Sequence, residues 1–413
     1  MKVCLVSRSD NRSGAAAAAY RLHLGLRQSG INSTMLVGEK TRNDTTIVSP
    51  ENQWERKWVQ LAPKLESVPV RFYRQRNRAR FSTQWLSDRV ANQIAKIDPD
   101  IINLHWICGG YLQIETLAQF RKPIVWTLHD MWPFTGGCHY SQTCDRYTQS
   151  CGACPHLNSQ FENDLSRWVW QRKARAWRNL NLTIVTPSRW LAQCARASRL
   201  FRDFPIEIIA NSLNTRAYQP TDKCLAKKQF ELPQDKQILL FGAILATSDR
   251  RKGYHLLKAA IEQISQTPQG DNIEVIVFGA SQPSEDTQFA LKTHYFGTIS
   301  DDAILSLLYS SADVFVAPSV EDNLPNTVME ALACGTPCVA FKIGGMPDLI
   351  EHRQNGYLAQ PFAVEDFSKG VLWVLEDKQR HSQLRKNARS VVEQKYRLQC
   401  QSQHYISLFE RLN

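Results

Sequence analysis

Residues 318–341 read PSVEDNLPNTVMEALACGTPCVAF, and they place two carboxylates, Asp322 and Glu330, around a turn that opens a short helix. The N-terminus of a helix offers unpaired backbone N–H groups and the positive end of a dipole, which suit a diphosphate or sugar hydroxyls. Carboxylates accept hydrogen bonds from vicinal hydroxyls, which ribose and hexoses both carry. The stretch therefore predicts a site for a sugar nucleotide.

Each carboxylate also has a purely structural interpretation. Thr327-Val-Met-Glu330 has the spacing of a capping box, in which Thr327 would be the N-cap and Glu330 would bond back to it. Asp322 fits an ordinary acidic position in an Asp-Asn-Leu-Pro turn. The surrounding sequence has to decide between these interpretations and a ligand site.

Outside this stretch, short apolar runs alternate with helical segments along the whole chain. The predicted strands lie at 3–7, 33–37, 100–105, 123–128, 182–185 and 206–209, and then at 237–241, 273–278, 313–317 and 338–341. The predicted helices lie at 15–28, 254–266, 327–333, 364–375, 381–393 and 398–412. Such alternation predicts parallel sheets covered by helices on both faces.

The polar stretch 211–227 interrupts this rhythm. We therefore expect an α/β fold with two doubly wound domains, 1–212 and 213–395, and a C-terminal helix within 396–413 that packs back on the first domain. In open α/β sheets, ligands bind beyond the carboxyl ends of the strands. Strand 313–317 runs directly into the opening stretch, whereas the acidic string Asp98-Pro-Asp100 precedes its strand and is expected to be a turn.

The chain has 413 residues, 43% of them hydrophobic, which is typical of a folded protein with two or three domains. Its formal net charge of +11 predicts attraction to anions such as nucleotide phosphates, acidic lipids or nucleic acid. No apolar run approaches the roughly 18 residues of a transmembrane helix, and the first ten residues lack a signal-peptide core. We expect a cytoplasmic protein.

Several motifs of the second half resemble the donor domain of retaining family 4 glycosyltransferases, which have the GT-B fold. They are Gly242, Arg250-Arg-Lys-Gly253, Phe278-Gly279, Tyr295-Phe-Gly-Thr298, ADVFVAPS at 312–319, the opening stretch and Gly344-Gly-Met-Pro-Asp-Leu-Ile350. In the first half, Thr127-Leu-His-Asp-Met-Trp132 and Val185-Thr-Pro-Ser-Arg-Trp190 are similar to bacterial members that build exopolysaccharide repeat units. The resemblance covers most of the chain.

The resemblance implies two Rossmann-like domains that face each other across a cleft. It also implies transfer of a hexose from a UDP- or GDP-linked donor to a hydroxyl of a glycan or lipid-linked glycan. The anomeric configuration would be retained, with no catalytic metal and no protein nucleophile. The enzyme would work in the cytoplasm or on the inner face of the membrane, without binding nucleic acid.

The family signature is two glutamates with seven residues between them, and Asp322 and Glu330 have this spacing. The first position is therefore shortened to aspartate, while Glu321 is one residue out of register. By resemblance, Glu330 would hold the ribose hydroxyls and Asp322 would face the reacting hexose as a catalytic residue. The other residues of this turn that would bind the donor are Asn323, Leu324, Pro325, Asn326 and Thr327.

Positive charge near the leaving diphosphate would come from Lys252, as a catalytic and donor-binding residue. Arg250 and Arg251 are further donor-binding candidates, because the family has an arginine where this chain has Ala243. The alternative is a solvated charge run that opens a helix.

His129 follows a predicted strand of the first domain, and by resemblance it would contact the donor sugar and help to position the anomeric centre. His105, which ends the neighbouring strand, is a second candidate. Gly14 would allow close approach of the acceptor or the diphosphate, although relatives often carry two adjacent glycines where this chain has Gly14-Ala15.

A cluster of cysteines, Cys138, Cys144, Cys151 and Cys154, lies within 17 residues, and its last pair has the two-residue gap of a zinc knuckle. Four thiolates suit tetrahedral zinc, but the first pair is spaced more widely than usual. A structural zinc ion, disulfides and free thiols all stay open at this stage. Zinc would stabilise the loop after His129 and would take no part in catalysis.

The segment RFYRQRNRARF at 71–81 carries five arginines among three aromatic residues, and Trp54, Trp58 and Trp85 flank it. Such an arm, here called the basic arm, would fit an anionic membrane surface, with cations on the headgroups and aromatic rings in the interface. The alternative is a solvated basic helix. Nucleic acid is disfavoured because no recognition module accompanies the arm.

Two other functions compete with a glycan-directed transferase. One is a nucleotide-sugar-binding protein with weak turnover, which the departures at Asp322, Ala243 and Ala15 favour. The other is a synthase that uses a soluble sugar acceptor, which the basic arm disfavours. The sequence leaves the base, the hexose, the acceptor and the linkage open, since these depend on pocket shape.

Overall fold

The computed structural model describes residues 1–11, 14–77, 79–243, 246–280 and 288–413. Arg78 of the basic arm lies outside this range, as do Arg12 and Ser13, which precede Gly14. The described chain divides into two compact units, Met1–Ala210 together with Gln401–Asn413, and Asn211–Cys400.

The elements alternate as the apolar pattern predicted. The strands are β1 (Lys2–Ser9), β2 (Asn32–Glu39), β3 (Ile47–Val48), β4 (Ile101–Leu104), β5 (Ile124–Thr127), β6 (Leu182–Thr186), β7 (Ile206–Ile208), β8 (Gln237–Gly242), β9 (Ile273–Phe278), β10 (Thr293–Tyr295), β11 (Val314–Ala317), β12 (Cys338–Phe341) and β13 (Gly356–Ala359). The helices are α1 (Gly14–Gln28), α2 (Gln53–Glu66), α3 (Val68–Arg71), α4 (Val90–Ile97), α5 (Leu165–Ala176), α6 (Arg189–Ala197), α7 (Lys223–Gln229), α8 (Tyr254–Ser265), α9 (Asp302–Ser311), α10 (Asn326–Ala333), α11 (Met346–Leu349), α12 (Val364–Glu376), α13 (Lys378–Lys395) and α14 (Leu398–Leu412).

Each unit is built on one parallel sheet. The order is β3-β2-β1-β4-β5-β6-β7 in the first unit and β10-β9-β8-β11-β12-β13 in the second. In both sheets the strand order reverses beside the first strand, which is the doubly wound arrangement of Rossmann-like domains. The predicted fold class, α/β with two such domains, is confirmed.

Buried apolar side chains explain why these strands form. Strands such as β5, β9 and β11 are buried along their whole length, as expected when helices cover both faces of a sheet. The C-terminal helix α14 contributes Tyr405 and Phe409 to the core of the first unit, and the Tyr405 hydroxyl lies 2.8 Å from Thr127 Oγ1. This helix closes the first sheet on one face.

The sequence prediction missed β3, β10 and β13, which lie at sheet edges. β13 begins with Gly356, a residue that normally favours turns. Here glycine is required by packing, since a Cβ atom at position 356 would lie 2.2 Å from the carbonyl oxygen of Cys338 on β12. A short edge strand with a glycine at its start has little of the apolar pattern that a prediction relies on.

The Asp98-Pro-Asp100 string is a structural turn, as expected. Asp98 ends α4 in the left-handed conformation, and the Asp100 carboxylate accepts a hydrogen bond of 2.7 Å from the backbone N–H of Lys2. Both lie at the amino end of the first sheet. Among the helices of the described ranges, each is too short or too polar to cross a bilayer.

Candidate functional site

The site in the second unit lies where its strand order reverses. Strands β8 and β11 are neighbours there, and the loops that follow them leave from the same edge of the sheet. The first loop carries Arg250, Arg251 and Lys252, and the second contains Asp322 and leads into α10. Ligands of doubly wound sheets bind in this position, because adjacent loops diverge to leave a crevice.

An ion pair joins the two loops. Lys252 Nζ lies 2.7 Å from Asp322 Oδ2, and both side chains are largely buried. Burial acts to raise the pKa of Asp322, but the charges of Lys252 and Arg251 outweigh it and hold the pKa below its usual value. The carboxylate is therefore ionised at neutral pH, at the turn the sequence singled out.

The structure separates the two loop arginines. The Arg251 guanidinium donates 3.0 Å to the Glu321 carbonyl oxygen and lies 3.5 Å from Asp322 Oδ2. The Arg251 carbonyl oxygen also accepts from the Val320 N–H at 2.9 Å. The side chain of Arg250 is exposed. Arg251 and Lys252 are thus brought to the turn, and Arg250 is not.

Glycines let the surrounding loops close on this turn. A Cβ atom at Gly253, which has φ +75°, would lie 1.8 Å from the Pro318 carbonyl oxygen. A Cβ atom at Gly344, with φ +50°, would lie 2.0 Å from the carbonyl oxygen of Asp322, which also accepts from the Gly345 N–H at 3.1 Å. Both glycines belong to motifs that carried the resemblance, and the structure gives them a physical reason.

Glu330 is buried inside α10 and meets a tyrosine. The Tyr309 hydroxyl donates 3.1 Å to Glu330 Oε2, and Tyr309 is fully buried. Burial, followed by the Glu330 charge, raises the pKa of Tyr309 well above its usual value, so the tyrosine stays a donor. Sequence reasoning missed Tyr309, whose only signal was its place in the apolar face of α9.

The capping-box interpretation of Glu330 is wrong. Helix α10 begins at Asn326, so its N-cap is Pro325, a residue with no side-chain acceptor for the first-turn N–H groups. Thr327 lies inside the helix instead of at its cap. Asn323 and Leu324 are buried in the preceding turn. The N-cap side chain therefore does not bond to the first backbone N–H groups of α10, which are hydrogen-bond donors at the positive end of the helix dipole, as the sequence predicted.

In the first unit, the two predicted histidines form a pair. His105 follows β4 and His129 follows β5 by two residues, and the two rings are stacked with His105 Nδ1 lying 3.0 Å from His129 Nε2. Burial lowers the pKa of His129 to about 4 and that of His105 well below its usual value. Both rings are neutral at physiological pH.

Asn103 decides which nitrogen of each ring carries the proton. The Asn103 Nδ2 atom donates 2.9 Å to the Val125 carbonyl oxygen, so its Oδ1 atom must accept from His105 Nε2 at 3.0 Å. His105 Nδ1 is then an acceptor, and His129 Nε2 must donate to it. His129 is left with Nδ1 as its acceptor nitrogen. Sequence reasoning missed Asn103, which is polar inside a buried strand.

Gly14 is the first residue of α1 and lies beyond β1, beside the point where the first sheet reverses its order. A Cβ atom there would meet no atom of the described chain within 4 Å. The close approach of a ligand to Gly14 stays a prediction.

The loop after His129 is held by a buried lysine. Lys173 donates to the carbonyl oxygens of Trp132 and Thr135, the second at 3.0 Å, and its Nζ lies 3.6 Å from the centre of the Trp132 ring. Burial lowers the pKa of Lys173 to about 7. These contacts help to order the loop after His129.

The cysteine cluster borders one small cavity. Its walls include all four cysteines, Cys138, Cys144, Cys151 and Cys154, and all four are free thiols. The Gly136 N–H donates 3.1 Å to Cys151 Sγ. In the described part of the chain, no group of three or more His, Cys, Asp or Glu side chains is arranged to hold a metal ion.

The basic arm exposes Arg71, Arg74 and Arg80 but buries part of its aromatic side. Phe81 is buried against Gly137, and the Tyr73 hydroxyl accepts a hydrogen bond of 3.0 Å from the Leu165 N–H. Of its three aromatic rings, only Phe72 is well exposed, at 81%. The arm packs on the cysteine-bearing loops because its aromatic residues fill a small core there, together with Val70 and Leu157.

Comparisons with known proteins identify the family of the chain. A model of the Glycosyltransferase Family 4 matches residues 12–217, and one of Glycosyl transferases group 1 matches residues 222–391. WcaC of Escherichia coli K12, named as a colanic acid biosynthesis glycosyl transferase, is 26% identical over 79% of this chain and 80% of its own. Sulfoquinovosyl transferase SQD2 of Arabidopsis thaliana is 26% identical over 75% of this chain and 56% of its own.

Solved structures share the fold of the whole chain. The sucrose-phosphate synthase of Thermosynechococcus elongatus has a TM-score of 0.71 at 19% identity, covering 100% of this chain and 99% of its own. Anabaena HepE, solved with UDP-glucose, has a TM-score of 0.66 at 16% identity and covers 100% of both chains. At such identities these likenesses establish the fold.

Proposed function

Since the chain belongs to the family 4 glycosyltransferases and has the GT-B fold, we propose that it moves a hexose from a nucleotide sugar to a hydroxyl of a glycan or lipid-linked glycan, with retention of configuration. The observation that carries the proposal is the Asp322–Lys252 pair at the reversal of the second sheet, next to the start of α10. A carboxylate that can accept hydrogen bonds from sugar hydroxyls lies there beside cations and backbone N–H groups that can bind a diphosphate.

The donor roles follow from this arrangement. Lys252 and Arg251 lie where they would stabilise charge on the leaving diphosphate, which makes a catalytic metal unnecessary. Glu330 would accept hydrogen bonds from the ribose hydroxyls, and Asp322 would accept them from hydroxyls of the hexose. HepE has been solved with UDP and with UDP-glucose, which supports a UDP-linked donor for this chain, with GDP as the alternative.

The chain supplies orientation and electrostatics to the reaction. The departing phosphate oxygen would take the proton of the acceptor hydroxyl while the sugar passes through an oxocarbenium-like state, so no side chain serves as a nucleophile. His129 would contact the donor sugar and help to position the anomeric centre. Gly14 would allow the diphosphate or the acceptor to approach α1 closely.

An exopolysaccharide intermediate is the acceptor we propose, because the chain matches WcaC along most of both lengths. The work would take place at the cytoplasmic face of the membrane. We also keep a structural zinc ion at the four cysteines as a proposal: all four are free thiols and line one small cavity, but their side chains would have to move to form a metal site.

A donor panel tests the function directly. Release of nucleotide from UDP- and GDP-sugars would be measured with and without lipid-linked acceptor, on the full chain and on Glu330→Ala and Lys252→Ala. We expect acceptor-dependent release from one donor, and losses of about tenfold or more in both variants. Binding without release would favour a binding protein, and release with free glucose or fructose would favour a soluble-sugar synthase.

A further inference from the structure

Helices α2 and α3 expose a stripe of large apolar side chains. Its members recur at spacings of three or four, which places them on one face of a helix, and each is exposed by 38% or more. We call the following residues the apolar stripe: Trp54, Trp58, Leu61, Leu65, Val68 and Phe72. The backbone between the two helices stays helical at Ser67, with φ −76° and ψ −9°, so the stripe is continuous.

The stripe is not the face that holds the helices to the protein. That role belongs to another side of α2 and α3, where Val59, Ala62, Glu66 and Val70 are buried. The Glu66 carboxylate accepts 3.0 Å from the Thr83 hydroxyl, which fixes α2 in place. A surface helix of a globular protein normally has one apolar face, which packs on the core. The second, exposed apolar face of α2 is therefore not explained by folding of this unit.

Cations line one edge of the stripe. Lys57, Lys64 and Arg71 are all exposed and project from α2 and α3 on the side away from the buried face. The only acidic neighbours on α2 are Glu55, which pairs with Arg89, and the buried Glu66. An exposed apolar face with cations beside it is complementary to an anionic bilayer, where acyl chains lie just below negative headgroups.

A basic cavity adjoins the same helix. It has a volume of about 490 Å³ and is lined partly by Arg56 and Gln60 of α2. Lys40 and Arg42, which follow β2, line its other side. Arg56 and Gln60 project from the side of α2 opposite the apolar stripe, so this cavity faces away from the stripe.

We propose that the apolar stripe inserts into the surface of an anionic lipid bilayer, with α2 and α3 lying in the membrane plane. The proposal deepens the proposed function, since it brings the first unit to the place where lipid-linked acceptors are found. It also places the membrane contact on α2 and α3, which share Arg71 and Phe72 with the basic arm and carry Trp54 and Trp58, two of the residues that flank it.

Vesicle co-sedimentation tests the stripe. The full chain would be mixed with vesicles of phosphatidylcholine alone, or with one third phosphatidylglycerol, at low salt. We expect binding to the anionic vesicles, and at least a tenfold weaker apparent affinity for Trp54→Ser combined with Leu61→Ser. Phe161→Ser combined with Leu225→Ser is the matched control, since these side chains are 78% and 65% exposed elsewhere, and it should bind as the unmodified chain does.

A charge variant separates insertion from attraction. Lys57→Glu with Lys64→Glu should weaken binding to anionic vesicles at least tenfold and make the remaining binding less sensitive to salt than that of the unmodified chain. An unmodified chain that stays in solution with anionic vesicles would overturn the proposal. Self-association through the stripe would overturn it as well. In that case light scattering would show a dimer, and Trp54→Ser with Leu61→Ser would convert it to a monomer without reducing vesicle binding.

The proposed function and the membrane contact fail in different ways. If the chain binds vesicles but releases nucleotide from no sugar nucleotide, the transferase proposal fails and the stripe stands. If the stripe variant transfers to a short water-soluble acceptor at the full rate but loses activity only on acceptor embedded in vesicles, both stand.

Discussion

Lys252 Nζ and Asp322 Oδ2 lie 2.7 Å apart, although the two residues are separated by 70 positions in the chain. The cation proposed for the diphosphate is therefore already paired with the carboxylate proposed for the hexose. A bound donor would have to share Lys252 with Asp322, so the two roles are coupled instead of additive. Asp322, shorter than the family's glutamate, reaches this lysine from within the turn.

Breaking the pair should cost stability as well as activity. Lys252→Ala leaves a buried carboxylate with Arg251 as its remaining cation, so we expect the free energy of unfolding to fall by about 1–3 kcal/mol. Adding Asp322→Ala should recover part of this loss. Urea denaturation of the single and double variants measures the coupling, with Arg250→Ala as a control from the same loop. Strictly additive effects would contradict the pairing.

Glu330 should matter for the nucleotide more than for the fold. Glu330→Gln keeps the shape of the side chain but removes its charge, so we expect UDP, or GDP if that is the donor, to bind about tenfold to a hundredfold more weakly. Tyr309→Phe removes only the hydrogen bond to Glu330 and should change the affinity much less. Calorimetric titration measures both. Equal small effects would assign Glu330 a structural role.

Much of this architecture could be predicted from local patterns. Buried strands can be read from the sequence as short apolar runs. Glu330 can be found as well, because its spacing from Asp322 is that of the family signature. The contacts Lys252–Asp322 and Tyr309–Glu330 cannot be read in this way, because they depend on which strands are neighbours. Strand order is a property of the folded sheet, and no local pattern encodes it.

The apolar stripe illustrates a different limit. Trp54, Leu61 and Leu65 recur at helical spacing, which in a sequence predicts a buried face. Only the structure shows that α2 buries a different face and leaves these side chains exposed. The sequence prediction placed the membrane contact on the basic arm because of its five arginines, yet Phe81 of that arm belongs to a small core.

The orientation of His129 should depend on its neighbour His105. His105→Phe keeps a flat ring but removes the acceptor for His129 Nε2, so we expect kcat to fall about tenfold to a hundredfold with little change in the KM for donor. His105→Gln offers a carbonyl oxygen to His129 and should recover part of the rate. Steady-state kinetics on both variants, with circular dichroism to confirm folding, make the comparison. Equal rates in the two variants would contradict the positioning role.

The histidine pair should also make the fold sensitive to acid. An unfolded histidine titrates near pH 6.5, whereas burial holds the pKa of His129 at about 4, so the unfolded chain binds more protons between these values. The free energy of unfolding should therefore fall as the pH drops from 6.5 to 4, by up to about 1.4 kcal/mol per pH unit from His129. Denaturation midpoints should depend less on pH in His129→Gln than in the exposed control His404→Gln. An unchanged dependence would show that His129 is accessible to protons in the folded state.

The four thiols around one cavity give the last prediction. If Cys138, Cys144, Cys151 and Cys154 converge on zinc, protein purified without chelators should contain about one zinc ion per chain. Cys151→Ser should then lose the metal and lower the midpoint of thermal unfolding, while Cys224→Ser, an exposed control, should do neither. Lys173 already holds the preceding loop through carbonyl contacts, so the metal would stabilise residues 138–154 and leave transfer rates nearly unchanged. A folded chain that is free of zinc, with all four thiols titrating with a thiol reagent after denaturation, would rule the site out.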